Sequence, residues 1–243
     1  MKKNILITGV LGGIGSAIAK YFREKGYYVY GLDKRDDFNY NCDRFILFDI
    51  NEYVKNASYR IKYSDLFAQV IPKLDVLVNN AAVQRLDHLR DLQIEDWNES
   101  LNVNLTGPMM LSKLFLTKLE ASKGSIINIG SIHQSLTKAS FVSYATTKSA
   151  LIGLTKAMAV DLEGKIRVNA ISPAAIETQM LKDGFKDSPD ALNKLKELHP
   201  VKRIGYPDDV AKLVYFIASE NNGFIHGANF QLDGGISSVL KDL

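Results

Sequence analysis

One cysteine, Cys42, stands among 243 residues. A single thiol forms no disulfide within its own chain and no cysteine-based metal site. The four histidines, His88, His133, His199 and His226, show no metal-ligand spacing. His88, His199 and His226 read as loop or surface residues. Long apolar runs are absent as well. The first one, in MKKNILITG, breaks at Thr8-Gly9 and is too short for the core of a secretion signal. No other run approaches the length of a membrane span. Basic runs are also missing. The 30 Lys and Arg residues are scattered among 27 acids, so the net charge of +3 carries no nucleic-acid signature. The expectation is a soluble, cytoplasmic chain without a metal, whose partner is a small molecule and neither nucleic acid nor membrane.

What is present is apolar and regularly spaced. Hydrophobic residues make up 46% of the chain, enough for a sizeable core. Seven short β-type runs follow one another: NILIT (4–8), YYVYGLD (27–33), DRFILFD (43–49), LDVLVNNAA (74–82), GSIINIGS (124–131), KIRVNAIS (165–172) and NFQLDGG (229–235). Helical patterns lie between most of them, at 16–26, 95–118, 143–163 and 208–219. Strands apolar on both faces, alternating with helices, predict a parallel sheet covered on both sides. No linker or repeat divides the chain. The reading is one α/β domain over 1–243, a doubly wound, Rossmann-type parallel sheet of about seven strands. The least regular stretches are 36–42, 51–63 and 179–200. The last is polar and lysine-rich, and is expected to close over substrate as a lid.

Two local patterns carry chemistry. The first is TGVLGGIG, between the first strand and the first helix. Gly9, Gly13 and Gly15 there let the backbone approach a pyrophosphate, which a helix N-terminus stabilises. Asp33 ends the second strand, where an acid binds the adenosine ribose hydroxyls and repels a 2′-phosphate. That favours NAD over NADP, although Lys34 and Arg35 follow at once and could favour a phosphate. The second pattern is SYATTKSAL, 143–151. Tyr144 and Lys148 are four apart and share a helix face. A phenol titrates near pH ~10, too high for ready proton transfer at neutral pH. A nearby ammonium stabilises the phenolate, so Lys148 is expected to lower the Tyr144 pKa.

With these residues in place, the chain resembles the short-chain dehydrogenase/reductase family over nearly its whole length. The matching motifs are TGVLGGIG, Asp49 after the third strand, NNAA at 79–82, NVN at 102–104, Ser131 ahead of YATTK, and RVNAISPAAIET at 167–178. The resemblance implies a Rossmann-type domain, hydride transfer between NAD(P) and a carbonyl or alcohol, and a homotetramer or dimer. It assigns Tyr144 as acid/base, Lys148 to the nicotinamide ribose, Ser131 to the reacting oxygen, and Asn104 to a water in a proton relay. It assigns Asp49 to adenine, Asn80 to the cofactor near the fourth strand, and Ile176 and Thr178 to the nicotinamide carboxamide. Ile14, Ile50, Ala81 and Pro173 fall beside these as further cofactor positions. Gly12 stands where members preferring NADP often carry a basic residue, which again favours NAD. The chain departs from the family pattern at Ala82 and Ala174, where glycine is usual.

Gln84, His133 and Gln179 are the candidate substrate residues, with Gln134 and Ala174 near them. Uncharged polar groups suggest a sugar, polyol or hydroxy acid. Gln84 with His133 is similar to members acting on 3-hydroxybutyrate, and SIHQ with AAIET to glucose-type dehydrogenases. Two alternatives remain at this point. One is a reductase of carrier-bound 3-oxoacyl chains, docking on Lys182, Lys186, Lys194 and Lys196. The other is a cofactor-sensing binding protein on the same fold.

Overall fold

The computed structural model describes residues 2–36, 41–185, 189–219 and 223–240. Seven strands form one parallel sheet: β1 (Asn4–Thr8), β2 (Tyr28–Asp33), β3 (Arg44–Leu47), β4 (Val76–Asn79), β5 (Ser125–Ile129), β6 (Arg167–Pro173) and β7 (Asn229–Leu232). Their spatial order is β3-β2-β1-β4-β5-β6-β7. The chain runs outward from β1 to β3, then returns to the other side of β1 with β4. That reversal opens a crevice at the carboxyl ends of β1 and β4, where ligands bind in such sheets. The glycine turn leaves β1 there, and Asn80 follows β4.

Alternation along the strands feeds two cores. Ile5, Ile7, Val29, Val76, Val78 and Ile127 face α1 (Gly13–Glu24) and α9 (Pro207–Ala218), against Phe22 and Val214. Leu6, Leu32, Leu77, Ile126 and Val168 face the opposite way, against Phe67 of α3 (Ala57–Val70) and Leu111, Phe115 and Leu119 of α5 (Gly107–Ser122). Successive side chains of a strand point to opposite faces, so a strand buried on both sides reads as a continuous apolar run. The remaining helices are α2 (Ile50–Lys55), α4 (Ile94–Leu101), α6 (Val142–Asp161), α7 (Gln179–Gly184) and α8 (Pro189–Leu198). None of the helices described is long and apolar enough to cross a membrane.

Three sequence expectations change. Residues 51–63, expected to be irregular, are helical in α2 and α3. Asp49 caps α2 by accepting from the Asn51 amide at 2.7 Å, and Asn56 caps α3 by accepting from the Tyr59 amide at 3.1 Å. The pattern was hidden because aromatic rings bury these helices in place of an aliphatic stripe. Tyr59 stacks on Tyr63 at 4.3 Å, and Phe48 packs on Tyr53 at 5.2 Å. The single helix expected over 95–118 is broken by a π-helical segment, Asn102–Thr106, between α4 and α5. The irregular 179–200 contains α7 and α8. Residues 37–40 of the first irregular stretch and 186–188 of the third, with Lys186, lie outside the described residues.

Candidate active site

The turn after β1 is built where side chains are missing. Gly9 has φ +66°, in the left-handed region that glycine enters without cost. A Cβ on Gly15 would sit 2.1 Å from the Gly9 carbonyl oxygen, and one on Gly13 would sit 2.9 Å from Cγ2 of Thr178. The chain therefore folds tightly over the start of α1. Asp49, Asn56 and Thr178 each cap a helix with a side-chain oxygen, whereas Gly12 gives α1 no side-chain cap, and its first turn holds no acid. The α1 amides are thus left for an outside anion, and this arrangement fits the pyrophosphate of a dinucleotide.

Neighbouring strands hold that turn in place. The Asn80 side-chain amide donates to the carbonyls of Thr8 at 2.9 Å and Gly9 at 3.1 Å. The backbone amides of Asn80 and Ala81 both donate to Thr8 Oγ1 at 3.0 Å. Asn80 therefore acts here as a clamp between β1 and β4. Asp33 is 7% exposed and accepts from the Leu11 amide, inside the turn, at 3.1 Å. The acid that sequence reading gave to the ribose thus lies against the glycine turn. The Asp49 carboxylate caps α2, and Ile50 is buried under Gly107. Ile14, in the first turn of α1, packs on the core, Ile176 is buried in that core, and Pro173 ends β6.

The second cluster gathers at α6. One helical turn separates Tyr144 from Lys148, and the Lys148 Nζ lies 5.6 Å from the centre of the Tyr144 ring. Lys148 is buried and donates to the Ile129 carbonyl at 2.7 Å. Burial lowers its pKa to about 8. Tyr144 does not show the expected lowering. Burial raises its pKa, and the hydrogen bond to Ser131 only partly opposes that. Loss of hydration of the phenolate outweighs an ammonium that, in this arrangement, is committed to a carbonyl.

Asn104 lies in the π segment. Its Oδ1 accepts from the Val83 amide at 2.9 Å, and its Nδ2 donates to the Val83 carbonyl at 2.9 Å and to Thr147 Oγ1 at 3.1 Å. Thr147 Oγ1 in turn donates to the Tyr144 carbonyl at 3.0 Å. The side chain expected to anchor a water ties the loop after β4 to α6 through these bonds.

On the substrate side, His133 lies flat on Phe141 at 4.3 Å and edge-on to Tyr144 at 5.8 Å. Its Nδ1 is 3.2 Å from Thr137 Oγ1. Burial, with a smaller contribution from Lys138, lowers its pKa to about 4, so the ring is neutral at physiological pH. Gln84 follows the clamped Val83 and is half-buried. Gln179 is turned along its own helix, donating to Asp183 Oδ1 at 2.7 Å. Two other histidines, read as loop or surface residues, lie in loops. His199, just past α8, is buried there at 1% exposure, with Nδ1 2.8 Å from the Leu195 carbonyl. His226 joins two elements, accepting from the Val168 amide at 3.1 Å and donating to the Ala159 carbonyl at 2.7 Å. Sequence reading missed Thr8, Phe141 and Thr147. They are single residues with no periodic signal; Thr8 and Thr147 meet partners distant in the chain, and Phe141 meets His133 across a short loop.

Comparison with known proteins agrees with this fold. The family described as "Enoyl-(Acyl carrier protein) reductase" matches residues 9–237. An NAD-dependent glycerol dehydrogenase of Listeria innocua is 31% identical, over 96% of this chain and 93% of its own. A 3-oxoacyl-[acyl-carrier-protein] reductase of Thermotoga maritima is 32% identical, over 96% and 97%. The ligand-free aldohexose dehydrogenase of Thermoplasma acidophilum superposes with a TM-score of 0.92 at 30% identity, over 100% of this chain and 96% of that one.

Proposed function

The chain belongs to the short-chain dehydrogenase/reductase family, NAD(P)-dependent oxidoreductases acting on CH–OH groups, and we propose that it uses NAD(H) on a small polar alcohol or carbonyl, a sugar, polyol or hydroxy acid. The observation that carries this reading is the convergence of Tyr144 with the buried Lys148 and Ser131 beside the neutral ring of His133. Likeness to glycerol and aldohexose dehydrogenases supports the substrate class.

The residues divide the work. The α1 amides and the glycine turn hold the pyrophosphate, Asp33 the adenosine ribose, and Lys148 the nicotinamide ribose. When bound, the nicotinamide ring accepts the hydride from the substrate carbon. In the oxidative direction Tyr144, as phenolate, takes the hydroxyl proton, and Ser131 Oγ hydrogen-bonds the same oxygen. A ligand-free phenol with a raised pKa holds its proton. Lys148 would hold the nicotinamide ribose, and its ammonium, once off the Ile129 carbonyl, would stabilise the phenolate of Tyr144 as its proton leaves. Asn104 keeps α6 and the loop carrying Gln84 in register. His133, locked by Phe141 and Thr137, offers its free ring edge to a substrate hydroxyl. The segment 179–200 closes over the substrate. The working unit is a homo-oligomer.

Similarity to the Thermotoga reductase supports a second reading, a carrier-bound substrate reduced with NADPH. Of the lysines offered for carrier docking, Lys182 is paired with Glu177 at 3.2 Å. The deciding experiment is a panel of polyols, aldoses, hydroxy acids and 3-oxoacyl thioesters with each coenzyme, followed by absorbance of the reduced nicotinamide. Turnover of a polyol, aldose or hydroxy acid with NAD is expected. Turnover confined to the thioesters with NADPH would establish the second reading.

A further inference from the structure

Two cations follow the acid at the end of β2, and both are held by carboxylates. Arg35 turns back on Asp33, with its backbone amide 3.1 Å and its Nε 3.4 Å from Oδ1. Lys34 reaches away from its own strand, and its Nζ lies 3.8 Å from Glu99 Oε1 on α4. Glu99 is not a loose surface acid. Its side chain is 17% exposed, and Arg85 fixes it through Nε at 3.1 Å and through Nη2. Arg85 is itself paired with Asp96 at 3.0 Å. Asp33, Lys34, Arg35, Arg85, Asp96 and Glu99 thus balance three acids against three bases at the adenosine end of the crevice.

An NADP molecule would bring a 2′-phosphate to this place, and the phosphate needs a free cation. We propose that Glu99 is a coenzyme-selectivity residue: by pairing with Lys34 it withholds that cation from a 2′-phosphate. Discrimination then has two parts. Asp33 repels the phosphate directly, and Glu99, 66 positions on in the sequence, removes the group that would otherwise reward it. The inference rests on the NAD(H) reading of the site and names a residue that reading does not use.

The test measures binding without turnover. The probes are 5′-AMP and 2′,5′-ADP, titrated calorimetrically into the whole chain. Glu99→Gln keeps the shape of the side chain and its hydrogen bond to Arg85 while removing the charge. It should tighten 2′,5′-ADP roughly two- to fivefold, the scale of one partly exposed charge pair, and leave 5′-AMP essentially unchanged. The gain should shrink with added salt and vanish when Lys34→Met is added. Lys34→Met alone should leave 2′,5′-ADP affinity within about twofold, because the lysine is already committed. An unchanged affinity in Glu99→Gln, a gain that survives loss of Lys34, or a large loss in Lys34→Met alone would each overturn the proposal. Failure of the NAD(H) reading looks different: the unmodified protein would itself bind 2′,5′-ADP more tightly than 5′-AMP.

Discussion

The two ends of the crevice are built on opposite principles. At the phosphate end, function comes from what is missing: side chains at Gly9, Gly13 and Gly15 and a cap on α1. At the proposed proton-transfer end it comes from what converges: Ser131 after β5, Tyr144 and Lys148 on α6, and Asn104 in the π segment, with Ser131, Lys148 and Asn104 buried and Tyr144 half-buried. A backbone cradle tolerates no added atom but leaves ionisation alone. A buried side-chain cluster tolerates isosteric change but shifts every pKa within it. The first end should therefore fail by losing affinity, and the second by losing rate.

Tyr144→Phe breaks the comparison most sharply. Turnover should fall roughly 10²–10⁴-fold, the range for loss of a general acid/base, while calorimetric NAD affinity stays near that of the unmodified protein. A variant keeping a tenth or more of the original rate would remove Tyr144 from that role. Gly15→Ala should do the reverse. The new Cβ would meet the Gly9 carbonyl at 2.1 Å, so the turn must open. NAD affinity should drop on the order of 100-fold, about 2.7 kcal/mol, with kcat at saturating coenzyme much less affected. Asp33→Ala tests the same end through charge. The ratio of kcat/KM for NAD over NADP should narrow by roughly tenfold or reverse, as the repulsion of the 2′-phosphate is lost. An unmodified enzyme already favouring NADP would refute the NAD assignment.

Two smaller effects sharpen the comparison. If 179–200 closes over the catalytic end, its described amides should exchange more slowly when NAD and a substrate analogue are both bound. Equal exchange rates with and without ligands would reject closure. His133 offers a test by pH. Its folded pKa, near 4, is below the ordinary value of 6.5. Between those values the unfolded chain binds a proton that the folded chain does not, so stability falls as pH drops from 6.5 toward 4. His133→Gln should flatten that part of the curve of thermal midpoint against pH. A curve unchanged in the variant would mean that the ring is not desolvated by its packing on Phe141.

The parts of the molecule legible in its sequence are those where the interacting residues are close along the chain. The order of the strands was readable because the central ones, β1, β4 and β5, are apolar on both faces. Tyr144 and Lys148 were readable because a helix brings residues four apart together. Gly9, Gly13 and Gly15 were readable because a glycine turn between strand and helix has few other uses. Helices α2 and α3 were not, because their buried face is a set of stacked tyrosines and phenylalanines with little aliphatic periodicity.

What the chain determines by itself is thus the sheet, the glycine turn and the pairing of Tyr144 with Lys148 on one helix face, proposed as the acid/base pair, since each depends on spacing within a few residues. Only the tertiary structure decides that Asn80 and Asn104 act as clamps, that His199 is buried, that Lys34 is held by Glu99, and that the phenol of Tyr144 is pushed up while the ammonium of Lys148 is pushed down. Those properties depend on how much water each group keeps and which distant partner meets it. Both are set by packing between residues far apart in sequence, and neither leaves a local pattern in the chain.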